Sequence, residues 1–185
     1  MRIRLRECGI SLLALCLALL LSCTAVLYSR PLQAQTKHVQ LSEADTEKLR
    51  EYADQPPERI KLYIKFIDER IAGIKQVLAA TRPVPPDQTA QVHNLMDEFT
   101  GLVDELQDNL DGYADHHDDV RKALKQVTEA CARWQEALKA APPNSGYEFV
   151  RKTAIDATSS MADDSTKMLE EQNEYFKDKK KNSKQ

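Results

Sequence analysis

Beyond residue 34 this chain holds only four glycines and one cysteine, and all 185 residues together supply one tryptophan and 6% aromatic side chains. Each scarcity closes off a class of chemistry. Four dispersed glycines leave no glycine-rich loop to cradle a phosphate. No serine lies in a Gly-x-Ser-x-Gly turn, so the exposed nucleophile of that motif has no counterpart. The haem-attachment sequence Cys-x-x-Cys-His is missing, and Met96, Met161 and Met168 fall at helical core spacing, where a flexible thioether is packing material rather than an axial ligand. Period-two alternation never persists, so nothing signals a strand. Basic excess is lacking as well: after residue 34 there are 22 basic and 28 acidic side chains, a formal net charge of −6. A nucleic-acid binder needs the opposite balance to neutralise phosphates.

Long apolar runs are confined to the N-terminus. Arg2, Arg4 and Arg6 precede a stretch from Cys8 to Ser29 with no charged residue, centred on Leu12 to Leu21 and followed by Leu32-Gln33-Ala34. A positive start, an apolar core and a small-residue cleavage context make residues 1–34 a signal peptide, cut after Ala34. Two other readings stay open. The uncharged run reaches the roughly 18 to 20 residues that cross a bilayer as a helix, so residues 9–29 also fit an uncleaved inner-membrane anchor with its positive end inside. Leu20-Leu21-Ser22-Cys23 resembles a lipobox with processing at Cys23, although Leu21 is bulky for that pattern and Ala25 to Tyr28 stays apolar. All three export the chain: periplasmic or secreted when cleaved, tethered otherwise. Cleavage removes Cys8, Cys16 and Cys23, so Cys131 has no intramolecular disulfide partner.

What is abundant is helical periodicity over the remaining 151 residues, the size of one ordinary domain. Proline clusters at Gln55-Pro56-Pro57, Arg82-Pro83-Val84-Pro85-Pro86 and Ala141-Pro142-Pro143-Asn144-Ser145-Gly146 punctuate it, because proline lacks an amide proton and clashes inside a helix. A short helix is expected over residues 42–54, opened by Ser42 with Asp45 three residues on as a capping-box variant. The next starts at Pro57 and places Ile60, Ile64, Ile67, Ile71, Ile74 and Leu78 on one face, with steps alternating four and three. That heptad rhythm suits helices packed at shallow angles.

The same rhythm runs from Val92 through Met96, Phe99, Val103, Leu106, Leu110, Tyr113, His117, Val120, Leu124, Val127, Cys131 and Trp134 to Leu138. Two readings compete here. Asp111-Gly112 is a helix stop and Asp115 with Asp118 a helix start, which predicts a break near Gly112. The unbroken seam instead suggests one helix of about 80 Å at about 1.5 Å per residue. The last helix is expected to begin with Ser145 and Glu148 as a capping box. Its face of Tyr147, Val150, Ala154, Ala157, Met161, Met168 and Tyr175 is diluted by Ser165 and Gln172. With the break accepted, short connections give an all-α, antiparallel up-down bundle of four long helices plus the short N-terminal one. The bundle domain covers residues 35–176, and residues 177–185 form a lysine-rich frayed tail.

Candidate chemistry is sparse. Asp115-His116-His117-Asp118-Asp119 is the one dense set of metal-ligand types. On a helix His116 and Asp119, three apart, share a face, as do Asp115 and Asp119, four apart, and imidazole with carboxylate suits zinc, nickel or copper. The same residues also fit a plain helix start, where the dipole favours acids. Paired acids at Asp163-Asp164 and Glu170-Glu171 are adjacent in sequence and so do not face each other. Cys131 sits on the seam, where a buried thiol is inert. No catalytic residue and no cofactor is expected. The functional expectation is an exported cell-envelope bundle with a structural or protein-interaction role and an unidentified protein partner. The alternative is a periplasmic metal-binding or stress-responsive bundle using His116, Asp119 and Asp115. Contact with a membrane is expected only through the N-terminal segment, if it stays in place.

Overall fold

A computed structural model describes residues 41–80 and 84–182 of the chain. The expected signal, its cleavage site and Cys8, Cys16 and Cys23 lie outside the described residues, as does the last part of the lysine tail. Residues 39–185 form one compact unit. Among the described residues there are five α-helices and no strand. None of these helices is long and apolar enough to cross a membrane.

α1 spans Glu43–Glu51. Ser42 Oγ accepts the Asp45 N–H at 3.1 Å and donates to the Asp45 carboxylate at 2.6 Å, so the expected cap forms. The helix ends three residues before Asp54, the end read from the sequence. α2, Pro56–Ala80, uses proline in its first turn, where no intrahelical N–H is required. Ile60, Ile67, Ile71, Ile74 and Leu78 are buried as the pattern implies, but Ile64 is only half-buried. Tyr63 and Phe66 are buried in its place, which widens the heptad stripe into the broader face of a globular helix.

α3 is Pro86–Asp115 and α4 is Arg121–Lys139. Every residue of the long predicted seam from Val92 to Leu138 is buried except His117. The chain does break, but not near Gly112. That glycine stays helical, and the turn forms at residues 116–120. α5, Glu148–Asn182, opens without the predicted box. Glu148 reaches forward to Arg151 at 2.6 Å, while Asn144 Oδ1 accepts the Gly146 N–H at 2.8 Å and makes the turn. Gly146 is dictated by close approach, since a Cβ there would collide with Thr89 Cγ2. On α5 the buried stripe runs through Ala154, Thr158, Met161, Ser165, Met168 and Gln172, with Thr158 replacing the expected Ala157 and Tyr175 left exposed. The helix continues past Lys177, where fraying was expected.

The helices run alternately up and down, as expected for a bundle with short connections. α2 packs on α3 and α4, and α5 packs on α3 and α4. α2 with α3, and α4 with α5, are therefore antiparallel hairpins laid side by side. The starts of α2 and α4 lie together and Asp68 meets Trp134 further along, while Thr89 meets Asn144 at one end of α3 and α5 and Ala114 lies by Met168 and Gln172 at the other, so the helices meeting between the hairpins run parallel. α3 and α4, joined by the turn, face each other diagonally across the core, where Phe99 and Trp134 meet edge to face at 5.8 Å between ring centres.

Candidate functional site

The turn between α3 and α4 holds the residues singled out from sequence. Its backbone is a Schellman motif: the His117 N–H bonds to the Ala114 carbonyl at 3.0 Å and the Asp118 N–H to the Tyr113 carbonyl at 3.0 Å. That motif needs a residue in the left-handed region, and His117 occupies it at φ 56°. Glycine is the usual occupant. The stop signal that the sequence offers at Gly112 goes unused, because Gly112 carries no such conformation and His117 does.

This geometry separates the predicted metal ligands. Asp115 is the last residue of α3 and is exposed. His116 Nδ1 lies 2.8 Å from the Gly112 carbonyl of its own helix end. Asp119 receives two bonds from the Arg121 guanidinium, at 2.8 and 2.7 Å, and these hold its carboxyl below the usual range. His116 and Asp119 do not share a helix face, because neither lies in a helix. Among the described residues no three or more His, Cys, Asp or Glu side chains gather as a metal site.

What the turn does gather is a latch. α4 begins after Val120, which offers no capping side chain, so its N–H would be an orphan. Gln172 of α5 supplies the partner: its Oε1 accepts the Val120 N–H at 3.2 Å and its Nε2 donates to the Asp118 carbonyl at 2.8 Å. The sequence reading treated Gln172 as dilution of an apolar face. The missing cap before Arg121 was the signal that a distant side chain must serve. Beside the latch, His117 stacks on Tyr175 at 4.5 Å, Tyr175 meets Phe176 at 5.0 Å, and the Arg121 guanidinium covers the Phe176 ring at 4.6 Å. A small recess of about 150 Å³ lies between these rings, Met168 and Gln172.

Elsewhere the concavities are open and charged. A cleft of about 620 Å³ between the starts of α2 and α4 is lined by Lys61, Arg121, Lys122 and Lys125 with Glu58 and Asp119. A groove of about 630 Å³ along the same two helices carries Lys65, Asp68, Glu69, Glu129 and Arg133. Neither brings a nucleophile beside a base. Cys131 is buried, and burial pushes its thiol up to about 12, away from the thiolate that reacts. Asp68 is committed to structure, accepting the Trp134 Nε1–H at 2.6 Å and a bond from Arg133 at 3.3 Å. Comparison with protein-family models, curated proteins and solved structures gives no match for this chain.

Proposed function

We propose that this protein is an exported, non-enzymatic helical bundle that works in the cell envelope as a structural or protein-interaction element. The observation that carries the reading is the use to which its polar side chains are put. Gln172, Asp68, Asn144 and Thr158 each bond to backbone or to a neighbouring side chain of the bundle itself, and where Gln172 and Asp68 border a concavity their polar atoms are already engaged in those bonds. The N-terminal run of arginines, apolar residues and Leu32-Gln33-Ala34 supports export. Phe149 at the start of α5 is 81% accessible and offers a position for a cross-linking probe, a single exposed apolar side chain being ordinary at a protein surface.

The test is fractionation of cells producing the full chain, with N-terminal sequencing of the recovered protein and cross-linking in place. Recovery outside the cytoplasm with Gln35 at the N-terminus, cross-linked to a protein through a probe at Phe149, is the expected result. Cytoplasmic recovery with Met1 intact, or a stoichiometric cofactor carried through native purification, would overturn the reading. The metal-binding alternative is answered by calorimetry with zinc, copper and nickel, where heat unchanged by His116→Ala with His117→Ala removes it.

A further inference from the structure

We infer that the end of the bundle built from the α3–α4 turn and the last turns of α5 is a docking surface for an anionic phospholipid membrane. Past Phe176, α5 continues as a helix to Asn182 with every side chain exposed, so its lysines are presented on a rigid rod. Helical spacing puts Lys177, Lys180 and Lys181 on one side of that rod. Cations near a helix C-terminus are favoured by its dipole, which alone accounts for lysines there. It does not account for Arg121, Lys122 and Lys125, which crowd the first turns of α4 with no acidic residue in the first turn. The dipole disfavours cations at that position. Two helices pointing in opposite directions thus place cations at one pole of the molecule, so the shared property is the pole and not the helix end.

The acids at this pole are partly engaged: Asp119 by Arg121 at 2.7 Å and Asp178 by Lys181 at 3.9 Å. Glu174, Asp118, Asp115 and Glu171 add negative charge beside them, and Glu58 lines the cleft with Lys122 and Lys125, so the excess of cations lies in the exposed lysines past Phe176. Tyr175, 40% exposed, and half-buried Phe176 stand at the root of the lysine segment, with Lys179 6.0 Å from the Tyr175 ring centre. Aromatic rings beside lysines are the composition of a membrane–water interface, and a lysine cluster on a helix reads as recognition of anionic headgroups. The chain as a whole carries more acidic than basic residues, with a formal net charge of −3, so repulsion of its acidic flanks would turn this pole toward an anionic sheet. Nucleic acid is the weaker fit, because phosphate tracking needs a basic face along the molecule rather than a cap at one end.

The core of the bundle draws on residues 49 to 168, within the compact unit of residues 39–185, so that unit serves as the test protein without the apolar N-terminal segment. It is sedimented with vesicles of phosphatidylglycerol or of phosphatidylcholine. Binding to the anionic vesicles alone is expected, and it should fade with salt as the screening length falls from about 10 Å at 0.1 M to about 3 Å at 1 M. Lys177→Gln with Lys180→Gln and Lys181→Gln should weaken it about a hundredfold, following about 1 kcal/mol per lysine near the surface. The matching arginine variant should bind like the parent. All three side chains are exposed, and unchanged Trp134 emission confirms that each variant is folded. Equal sedimentation with both vesicles, parental binding by the glutamine variant, or tighter binding to duplex DNA than to phosphatidylglycerol would each overturn the proposal. It stands on the charges and rings of this pole and is independent of whether the chain is exported.

Discussion

Trp134 ties three helices together through one side chain. Its ring edge meets Phe99 of α3, its indole N–H is held by Asp68 of α2, and its backbone belongs to α4. Trp134→Ala should cost about 3–5 kcal/mol, the range for deleting a large aromatic from a packed interior, as read by denaturant melts; a change under about 1 kcal/mol would mean the site does not pack as described. Gln172 gives a second test. Gln172→Leu removes the partner of the Val120 N–H and of the Asp118 carbonyl, so it should destabilise by about 1–3 kcal/mol even though leucine adds apolar surface. A more stable leucine variant would show that the latch contributes nothing. The two residues also mark what could be read from sequence. Trp134 lay on the heptad seam and its burial followed from spacing. Gln172 did not, because periodicity scores polarity at a position and is blind to a partner 52 residues away. Tyr63 and Ile64 exchanged places for a related reason: on a helix a neighbouring residue lies 100° round, and only the packing partner decides which side faces in.

At the level of whole elements the breaks fell where proline demanded them and failed where glycine was trusted. The connections at Pro56, Pro85 and Pro142 are all non-helical or first-turn positions, since proline cannot be overruled by context. Glycine only permits a turn, and at Gly112 the permission is unused. Gly112→Ala should therefore stabilise the protein by about 0.5–1 kcal/mol, the usual gain for alanine inside a helix, because an added Cβ there meets nothing within 4 Å. Destabilisation would restore the break predicted from sequence. α1 offers a pH test. Bonds from Ser42 and Lys48 hold the Asp45 carboxyl below its usual range. A depressed carboxylate stabilises the folded state above its unfolded pKa, and that stability disappears as pH falls through the folded value. Amide exchange in α1 should accelerate below the ordinary carboxylate range while α3 and α4 stay protected; uniform acceleration of all helices would contradict a local cap effect.

The molecule as a whole was legible as an all-α bundle, and its alternating directions followed from short connections. Its neighbour relations did not, because nothing in a helix pattern says whether a turn joins adjacent or diagonal helices. That arrangement makes Cys131, buried on α4 with Trp134 three residues on, a reporter of the entire core. Labelling of Cys131 by a thiol reagent should follow the cooperative loss of helical circular dichroism and the red shift of Trp134 emission, all with one midpoint. Labelling that runs ahead of both would show α4 opening on its own. The diagonal turn also makes the packing of α4 non-local. α2 and α3 are a local hairpin, yet the burial of Phe99, Met96 and Leu106 needs the second hairpin as well. α4 finds its neighbours in α2, which precedes it by more than a helix length, and in α5, which follows it. Contacts as distant in sequence as Asp68 with Trp134, 66 residues apart, raise the mean sequence separation of the packing above that of a simple run of hairpins, which slows folding as a whole. Without residues 148–182, α4 would keep its contact with α2 and lose its larger one with α5, so most of the cover for Trp134's helix comes from the C-terminal helix.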